Sequence, residues 1–496
     1  MNLLEHIKDF GAIDAENDNR LIEYFFRTPI LDQLYGYEKS IVIGRKGTGK
    51  TAIYKYIENE KTRYVSALLF KDYPWQVHDK YKNTIVSERE SFVHSWEFFF
   101  YIEIFKKMVA LIGEFRSAQT QKQIRKIEKW IKRNWGSISF DHKETLSPQK
   151  RRRWVFSFAP SVMGNSLGSV STAFQQSDNL GNTLAEFNSK FEKIVENLLN
   201  DFNGEIILLF DELDLAYSST DANYKNRLIG LLLATYAFFS KFNKKVKIYL
   251  FLRSDIFNSL EFQDKNKIKD NMVVFLDWDP KSTTSKLSLK QLISNRIKAN
   301  INAKSDNFER NWNEIFEPNN IGRNQTKWNF IIERTFVRPR DVIKFLNLAL
   351  EQAQNRLRAD VDSIDKITNT DIHVIRKKYS QYLIEELKDE LTGSYDEYDY
   401  YLEILRDIHK ISFSFNDFLE SYKTVNERRS LDANPTEVLE RLFEFSIIGF
   451  YKPGGGGFGG SEYAFRYTAE SQPFNPKARK FKVHPGFKEY LELVER

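Results

Sequence analysis

Short runs of apolar, β-branched residues alternate with longer stretches whose apolar positions recur every three or four residues. That pattern predicts an α/β fold around a parallel sheet. Five runs read as strands: Ile41–Ile43, Tyr64–Phe70, Ile206–Phe210, Lys247–Leu252 and Val273–Leu276. Each is apolar almost throughout, as strands covered on both faces must be. Between the second and third, the spacing predicts a helix over 88–113 and another over 118–135. After a Ser/Gly/Asn-rich stretch at 136–182, a third follows at Leu184–Leu199, with apolar residues at 184, 187, 191, 194, 195 and 198. Ile229–Phe239 is the most apolar long stretch. It has about half the roughly 20 residues needed to span a bilayer, so it reads as a buried helix.

Beyond Leu276 the strand pattern stops. Asp277–Ser285 (DWDPKSTTS) carries the Pro, Ser and Thr of a boundary, and 285–375 is helical in pattern. The tail reads as helices near 382–408, 414–424 and 435–446, then two β segments joined through a glycine-rich loop at GGGGFGG, the order of a winged helix. At 496 residues the chain exceeds one core, since single cores rarely grow past about 250–300 residues. The expected division is a sheet-bearing core at 1–280 with a basic insertion at about 110–182, a helical lid at 281–377 and a winged-helix-like domain at 378–496.

Composition narrows the chemistry. The chain is 41% hydrophobic and 29% charged, which suits packed cores and a solvated surface. It has no cysteine, which excludes disulfides, thiolate metal sites and cysteine nucleophiles, and fits a reducing, cytoplasmic setting. The N-terminus mixes charges into its apolar positions, unlike a secretory signal. Seven histidines lie scattered without metal-ligand spacing. Net charge is only +6, yet Arg116–Arg153 holds twelve Lys/Arg against three Asp/Glu. Within it, QKQIRKIEKWIKRNW (121–135) sets Ile124, Ile127 and Ile131 on one face, among Lys122, Arg125, Lys126, Lys129, Lys132 and Arg133, with Trp130 and Trp135 interleaved; Arg151–Arg153 follow. Three readings fit: a nucleic-acid surface with tryptophans that stack on bases, an amphipathic helix docked on its own core, or a seat for an acidic partner. In the tail, Lys452, Lys477, Arg479, Lys480 and Lys482 flank the presumed wing and make it a second candidate for nucleic acid.

The most specific signal is GRKGTGKT. Gly44, Arg45, Lys46, Gly47, Thr48, Gly49, Lys50 and Thr51 fit G-x-x-x-x-G-K-[ST] at every fixed position, followed by Ala52 at the start of a helix with Ile53, Tyr56 and Ile57 on one face. Glycines let successive N–H groups turn toward phosphate oxygens, and the helix N-terminus adds a positive field. Lys50 is expected to bridge β- and γ-phosphates, and the Thr51 hydroxyl to ligate Mg²⁺. The strand Ile206–Phe210 runs into Asp211-Glu212-Leu213-Asp214, with Asp211 expected on the metal and Glu212 as general base for water. Asp214 is either part of this group or a cap for the next helix. Arg253 ends the next strand, where it could read the γ-phosphate; Arg334, Arg338 and Arg340 stand at the start of a later helix, in ERTFVRPRDVIKFLN.

Together GRKGTGKT, LLFDELD, Arg253 and RPRDVIKFLN resemble the AAA+/STAND P-loop ATPases, nearest the origin-recognition and KAP-like branches. The opening FGAIDAENDNRLIEYFFRTP is similar to a group of bacterial P-loop ATPases found in defence-related loci. The resemblance implies ATP and Mg²⁺ as ligands, Arg338 and Arg340 near the nucleotide, and a switch in anti-phage defence with a separately encoded effector protein. The alternative it implies is an origin-recognition-like protein that grips DNA when ATP is bound and hydrolyses slowly. No appended repeat or effector domain is visible, and no arginine stands out as a trans-acting finger for a homo-oligomer.

Overall fold

All five apolar runs pair in one parallel sheet. The computed structural model describes residues 2–82, 87–147, 180–214, 222–279, 287–322, 324–360, 363–391, 397–454, 460–468 and 473–495. It forms two compact units: Arg27–Leu276, and Met1–Phe26 together with Asp277–Arg496.

In the first unit, helix α1 (Pro29–Tyr35) leads into β1 (Ile41–Gly44), α2 (Lys50–Glu58) and β2 (Tyr64–Leu69). Three helices precede the next strand: α3 (Glu88–Ala110), α4 (Ala118–Trp135) and α5 (Leu180–Asn200). Then come β3 (Ile206–Asp211), α6 (Ala222–Phe239), β4 (Val246–Arg253), α7 (Ser254–Ser259), α8 (Lys265–Met272) and β5 (Val273–Phe275). The sheet order is β2-β3-β4-β1-β5 and every pairing is parallel, so all strand C-termini share one edge. Strands β1, β3 and β4 are buried over nearly their whole length, which is why their sequences are continuously apolar.

The insertion between β2 and β3 covers an edge. Strand β2 is terminal in the sheet, and its outward carbonyls would otherwise invite pairing with another chain. Lys107 Nζ donates to Val65 O at 2.6 Å and His142 Nε2 to Leu69 O at 2.8 Å. Helix α3 is buried on most sides, so its thirteen enclosed residues carry little amphipathic pattern. Helix α4 is the opposite case, with Ile124, Ile127, Trp130, Ile131 and Trp135 all buried on one face. The two tryptophans are therefore core residues. The expectation that they stack on exposed bases is corrected, because Trp135 lies parallel to Phe140 (centroids 5.1 Å apart) and Trp130 packs edge-on to Phe191 (5.8 Å).

The second unit begins with the chain's first 26 residues, which pack against later helices. Those helices are α9 (Leu289–Ile301), α10 (Phe308–Ile315), α11 (Lys327–Ile332), α12 (Pro339–Ala359) and α13 (Asn369–Leu391). A terminal module follows: α14 (Tyr398–Ile408), β6 (Ser412–Phe413), α15 (Phe415–Arg429), α16 (Pro435–Glu444), β7 (Ile448–Lys452), β8 (Glu462–Ala464) and β9 (Phe481–Val483). Its antiparallel sheet has the order β6-β9-β7-β8. Where one helix was expected near 382–408, α13 ends at Leu391 and α14 starts at Tyr398, and where two β segments were expected there are β7, β8 and β9; the two-residue β6 had no sequence signal. The module is packed on the helices before it: buried His484 reaches Thr335 O at 3.2 Å through Nε2 and accepts from Gly486 N at 3.1 Å through Nδ1. Arg151–Arg153 and the GGGGFGG loop's residues 455–459 lie outside the described residues.

Candidate functional site

The residues of 44–51 fold as the motif requires. β1 ends at Gly44, whose Cα is in register with Arg253 of β4. A Cβ on Gly44 would stand 2.5 Å from Thr48 Oγ1, so only glycine lets the loop close there. Gly47 (φ 79°) and Gly49 (φ 98°) take left-handed backbone, and Gly49 is the N-cap of α2. Thr48 is buried and its hydroxyl donates to Arg45 O at 2.8 Å, bracing the turn. Lys50 Nζ donates to Gly44 O (3.0 Å) and Arg45 O (3.1 Å), so its ammonium lies inside the loop's own curve. Burial holds Lys50 below the ordinary lysine range, while Asp214 and Asp211 pull the other way. On α2 the buried residues are Ile53, Tyr54 and Ile57. Tyr54 takes the place expected for Tyr56, which is half-buried.

The acidic strand meets this loop. β4 lies between β1 and β3, so the loop and Asp211 are two strand spacings apart, about 10 Å across the sheet. Side chains close that gap, since the Thr51 hydroxyl and the Glu212 backbone N–H both stand near enough to the Asp211 carboxylate to favour its charged form. Asp211 is 3% exposed. Its Oδ2 is buried with no hydrogen-bond partner among the described residues. Burial lifts its pKa to about 6, against the lowering pull of those two donors and Lys50. A buried carboxylate with one oxygen unsatisfied, close to the hydroxyl of a phosphate-loop threonine, suits a hard divalent cation that shares its remaining ligands with phosphate and water. Thr51 and Asp211 thus fit the metal role expected of them.

Glu212 follows Asp211 with φ 59°, left-handed backbone that is uncommon for a residue other than glycine. This turn breaks the strand just past Asp211, and Glu212 Oε2 is buried there. The next residue, Leu213, is fully buried and accepts from the Tyr224 hydroxyl, which pins the turn from below.

Arg253 is held at the same sheet edge. Its guanidinium donates to both Asp255 oxygens, at 3.1 and 2.7 Å, and NH1 lies 3.6 Å from Asp214 Oδ2. Asp214 therefore faces the site. Asp255 had not been singled out, although its place two residues after a strand-terminal arginine was a readable signal. Tyr54 was also missed; its ring meets Phe251 edge-on (5.9 Å), and its buried hydroxyl stands in the field of Asp211 and Glu212. Burial raises its pKa well above the usual tyrosine value.

Arg338 and Arg340 belong to the other unit. Arg338 is 2% exposed and grips Asp341 through two hydrogen bonds of 2.9 and 3.0 Å, and the same carboxylate caps Phe336 N. Arg340 pairs with Glu386 at 3.1 Å. Arg334 lies flat over Phe330 at 3.4 Å and donates to its carbonyl. In the terminal module Lys477, Arg479 and Lys480 are exposed ahead of β9, while Lys482 is half-buried. Among the described residues no helix is long and apolar enough to cross a membrane.

Comparison with known proteins gives partial matches. Over 484 residues the chain is 23% identical to an 80.3 kDa protein of Escherichia coli (strain K12) named for the transposon gamma-delta; the match covers 90% of this chain and 62% of that one. The chain thus spans less than two thirds of this curated relative. Among solved structures, the Aeropyrum pernix ORC1 protein in complex with DNA overlaps 95% of this chain and 96% of its own at 11% identity, with a TM-score of 0.32. The Aeropyrum pernix ORC2 protein in its ADPNP–ADP complexes overlaps 96% of each chain at 11% identity, with a TM-score of 0.37. Residues 287–388, from α9 through most of α13, match the family model of the FunZ-associated C-terminal helical domain.

Proposed function

We propose that the chain is a Mg²⁺-dependent P-loop ATPase whose site lies at the C-terminal edge of the parallel sheet. The observation that carries the reading is buried Asp211, one carboxylate oxygen of which has no partner among the described residues, standing in the field of Lys50 and Thr51 of the phosphate loop. The amides of residues 45–51 and the start of α2 would receive the phosphates. Lys50, now bonded to two loop carbonyls, would exchange them for β- and γ-phosphate oxygens. Thr51 and Asp211 would hold Mg²⁺, which when bound offsets charge on the phosphates. Glu212, turned off the strand end, would accept the proton of the attacking water. Arg253 would leave Asp255 for the γ-phosphate and report its presence.

A switch role follows from such an arrangement, because triphosphate and diphosphate would set Arg253 differently. The AAA+/STAND branch, the sensing roles of Arg338 and Arg340, and work in anti-phage defence beside a separate effector rest on the sequence resemblance. Two variants test the core of the proposal. Lys50→Ala should abolish ATP binding in calorimetry. Glu212→Gln should bind ATP like the parent yet turn over about 10²–10⁴ times more slowly. Parental hydrolysis by Glu212→Gln would remove Glu212 as the base.

A further inference from the structure

The exposed face of α4 is unusual in one respect. Between Thr120 and Trp135 the exposed residues are Lys122, Arg125, Lys129, Lys132 and Arg133, every one a cation. Their spacing of three and four residues sets them along one side of the helix, and Lys126 is half-buried beside them. Glu128 is the one acid on α4, and it is engaged by Lys132 at 2.6 Å. The helix is firmly held. Ser117 caps its start and is anchored through its own N–H to Asp201 at 2.7 Å, and Gly136 (φ 81°) closes its end. The opposite face is locked into the core by three isoleucines and two tryptophans. The charges are therefore carried on a rigid rod, about 16 Å from Lys122 to Arg133.

We infer that this face of α4 is a docking surface for the phosphate backbone of duplex DNA. Five exposed cations with one internally paired acid among them leave an uncompensated positive stripe that complements a polyanion, and duplex DNA carries one negative charge per about 1.7 Å of its axis. Single strands are usually held by basic grooves whose aromatic rings stack on bases. Here both tryptophans point inward, 4% and 2% exposed, so that device is missing and backbone contact is what remains. Such contact positions a protein on DNA without reading sequence. The surface shares no residue with the nucleotide site, and its test does not require turnover.

The test is fluorescence anisotropy of the full chain with a labelled 30-base-pair duplex across a salt titration. The single strand of the same sequence and polyglutamate serve as competing arms. The triple variant Lys122→Gln/Arg125→Gln/Lys129→Gln should lose at least about tenfold in duplex affinity at low salt. Its log–log salt slope should shrink by up to about 3. Removing the same charge from exposed Lys61, Lys244 and Lys267 of the same unit should leave most of the slope in place. ATP binding by both triple variants should match the parent, which shows them folded. The proposal is overturned if the parent does not bind duplex at low salt, if the α4 variant keeps the parental affinity and slope, or if single strand or polyglutamate displaces the duplex at equal charge.

Discussion

His78 shows how a buried residue can tie stability to pH. Its Nδ1 lies 2.7 Å from Ser95 Oγ and its Nε2 3.0 Å from the Tyr73 hydroxyl, with the ring against Trp96 at 4.1 Å. Ser95 Oγ spends its proton on Phe92 O, so it accepts from Nδ1–H, and Nε2 accepts from Tyr73. The neutral ring satisfies both neighbours. A second proton would face the tyrosine hydrogen in a site that burial, and then Arg227, already makes hostile to charge, so its pKa lies well below the usual histidine value. The unfolded chain binds a proton at this residue below about pH 6.5 while the native chain does not, so stability falls as pH drops through that range. The urea midpoint of the parent should decline more steeply from pH 7 to pH 5 than that of His78→Gln, which titrates in neither state. Parallel declines would remove His78 from the account. Asp211 makes a complementary case, since its burial is useful only with a cation. Asp211→Asn should raise the free energy of unfolding of the nucleotide-free protein at pH 7.5, by up to about 3 kcal/mol, since the native carboxyl titrates at about 6 and not in the ordinary aspartate range. The same change should erase the further stabilisation that Mg²⁺ with ATP gives the parent. A variant that is less stable without nucleotide would contradict the idea that the site trades stability for metal binding.

Helices α3 and α6 meet at a position where two local rules oppose each other. Gly230 is buried in α6, and a Cβ there would stand 2.6 Å from Phe92 Cβ and 3.1 Å from the Phe92 carbonyl carbon. Alanine would gain about 1 kcal/mol of helix propensity, but forcing a methyl onto a helix backbone costs about 1–3 kcal/mol. Gly230→Ala should therefore lower the free energy of unfolding by about 1 kcal/mol. Gly113→Ala, with nothing within 4 Å of its Cβ, should be neutral or slightly stabilising. Urea titration of the pair separates the two effects, and a stabilising Gly230→Ala would refute the close approach. The elements themselves were largely legible: strands buried on both faces had to be apolar runs, and α4 appears at its expected bounds because its isoleucines keep helical spacing. Of the three readings open for α4, the one that docks it on its own core holds for Trp130 and Trp135, which fall in the register 127, 130, 131, 134 and 135, a core stripe with indoles in it. The left-handed turn at Glu212 had no signal at all, since nothing in a glutamate announces positive φ.

At the scale of the whole chain, the least legible feature is where the first 26 residues go, because their partners lie roughly 280–360 positions later. Phe10 N donates to Asn347 at 2.8 Å, Asn347 donates back to Gly11 O at 2.9 Å, and Gln354 donates to both Leu4 O and Ile7 O at 2.8 Å. Arg296 donates to Phe10 O at 2.7 Å and to Asp18 at 3.1 Å, lying 4.2 Å over the Tyr24 ring. Gly11, at φ 106°, leaves room for that guanidinium where a Cβ would stand 1.6 Å from it. The side chains of Arg296 and Asp18 are 7% and 4% exposed, so neither charge has water to fall back on. Removing one member of such a pair leaves the other buried and uncompensated, at a cost of about 3–5 kcal/mol. Asp18→Ala should therefore loosen the unit built from Met1–Phe26 and Asp277–Arg496, and hydrogen exchange should report it as lost protection in α9 and α12. Asp18→Asn, which keeps an acceptor but no charge, should lose less. If α9 and α12 exchange in Asp18→Ala as they do in the parent, the opening segment is an appendage to that unit and not part of its core.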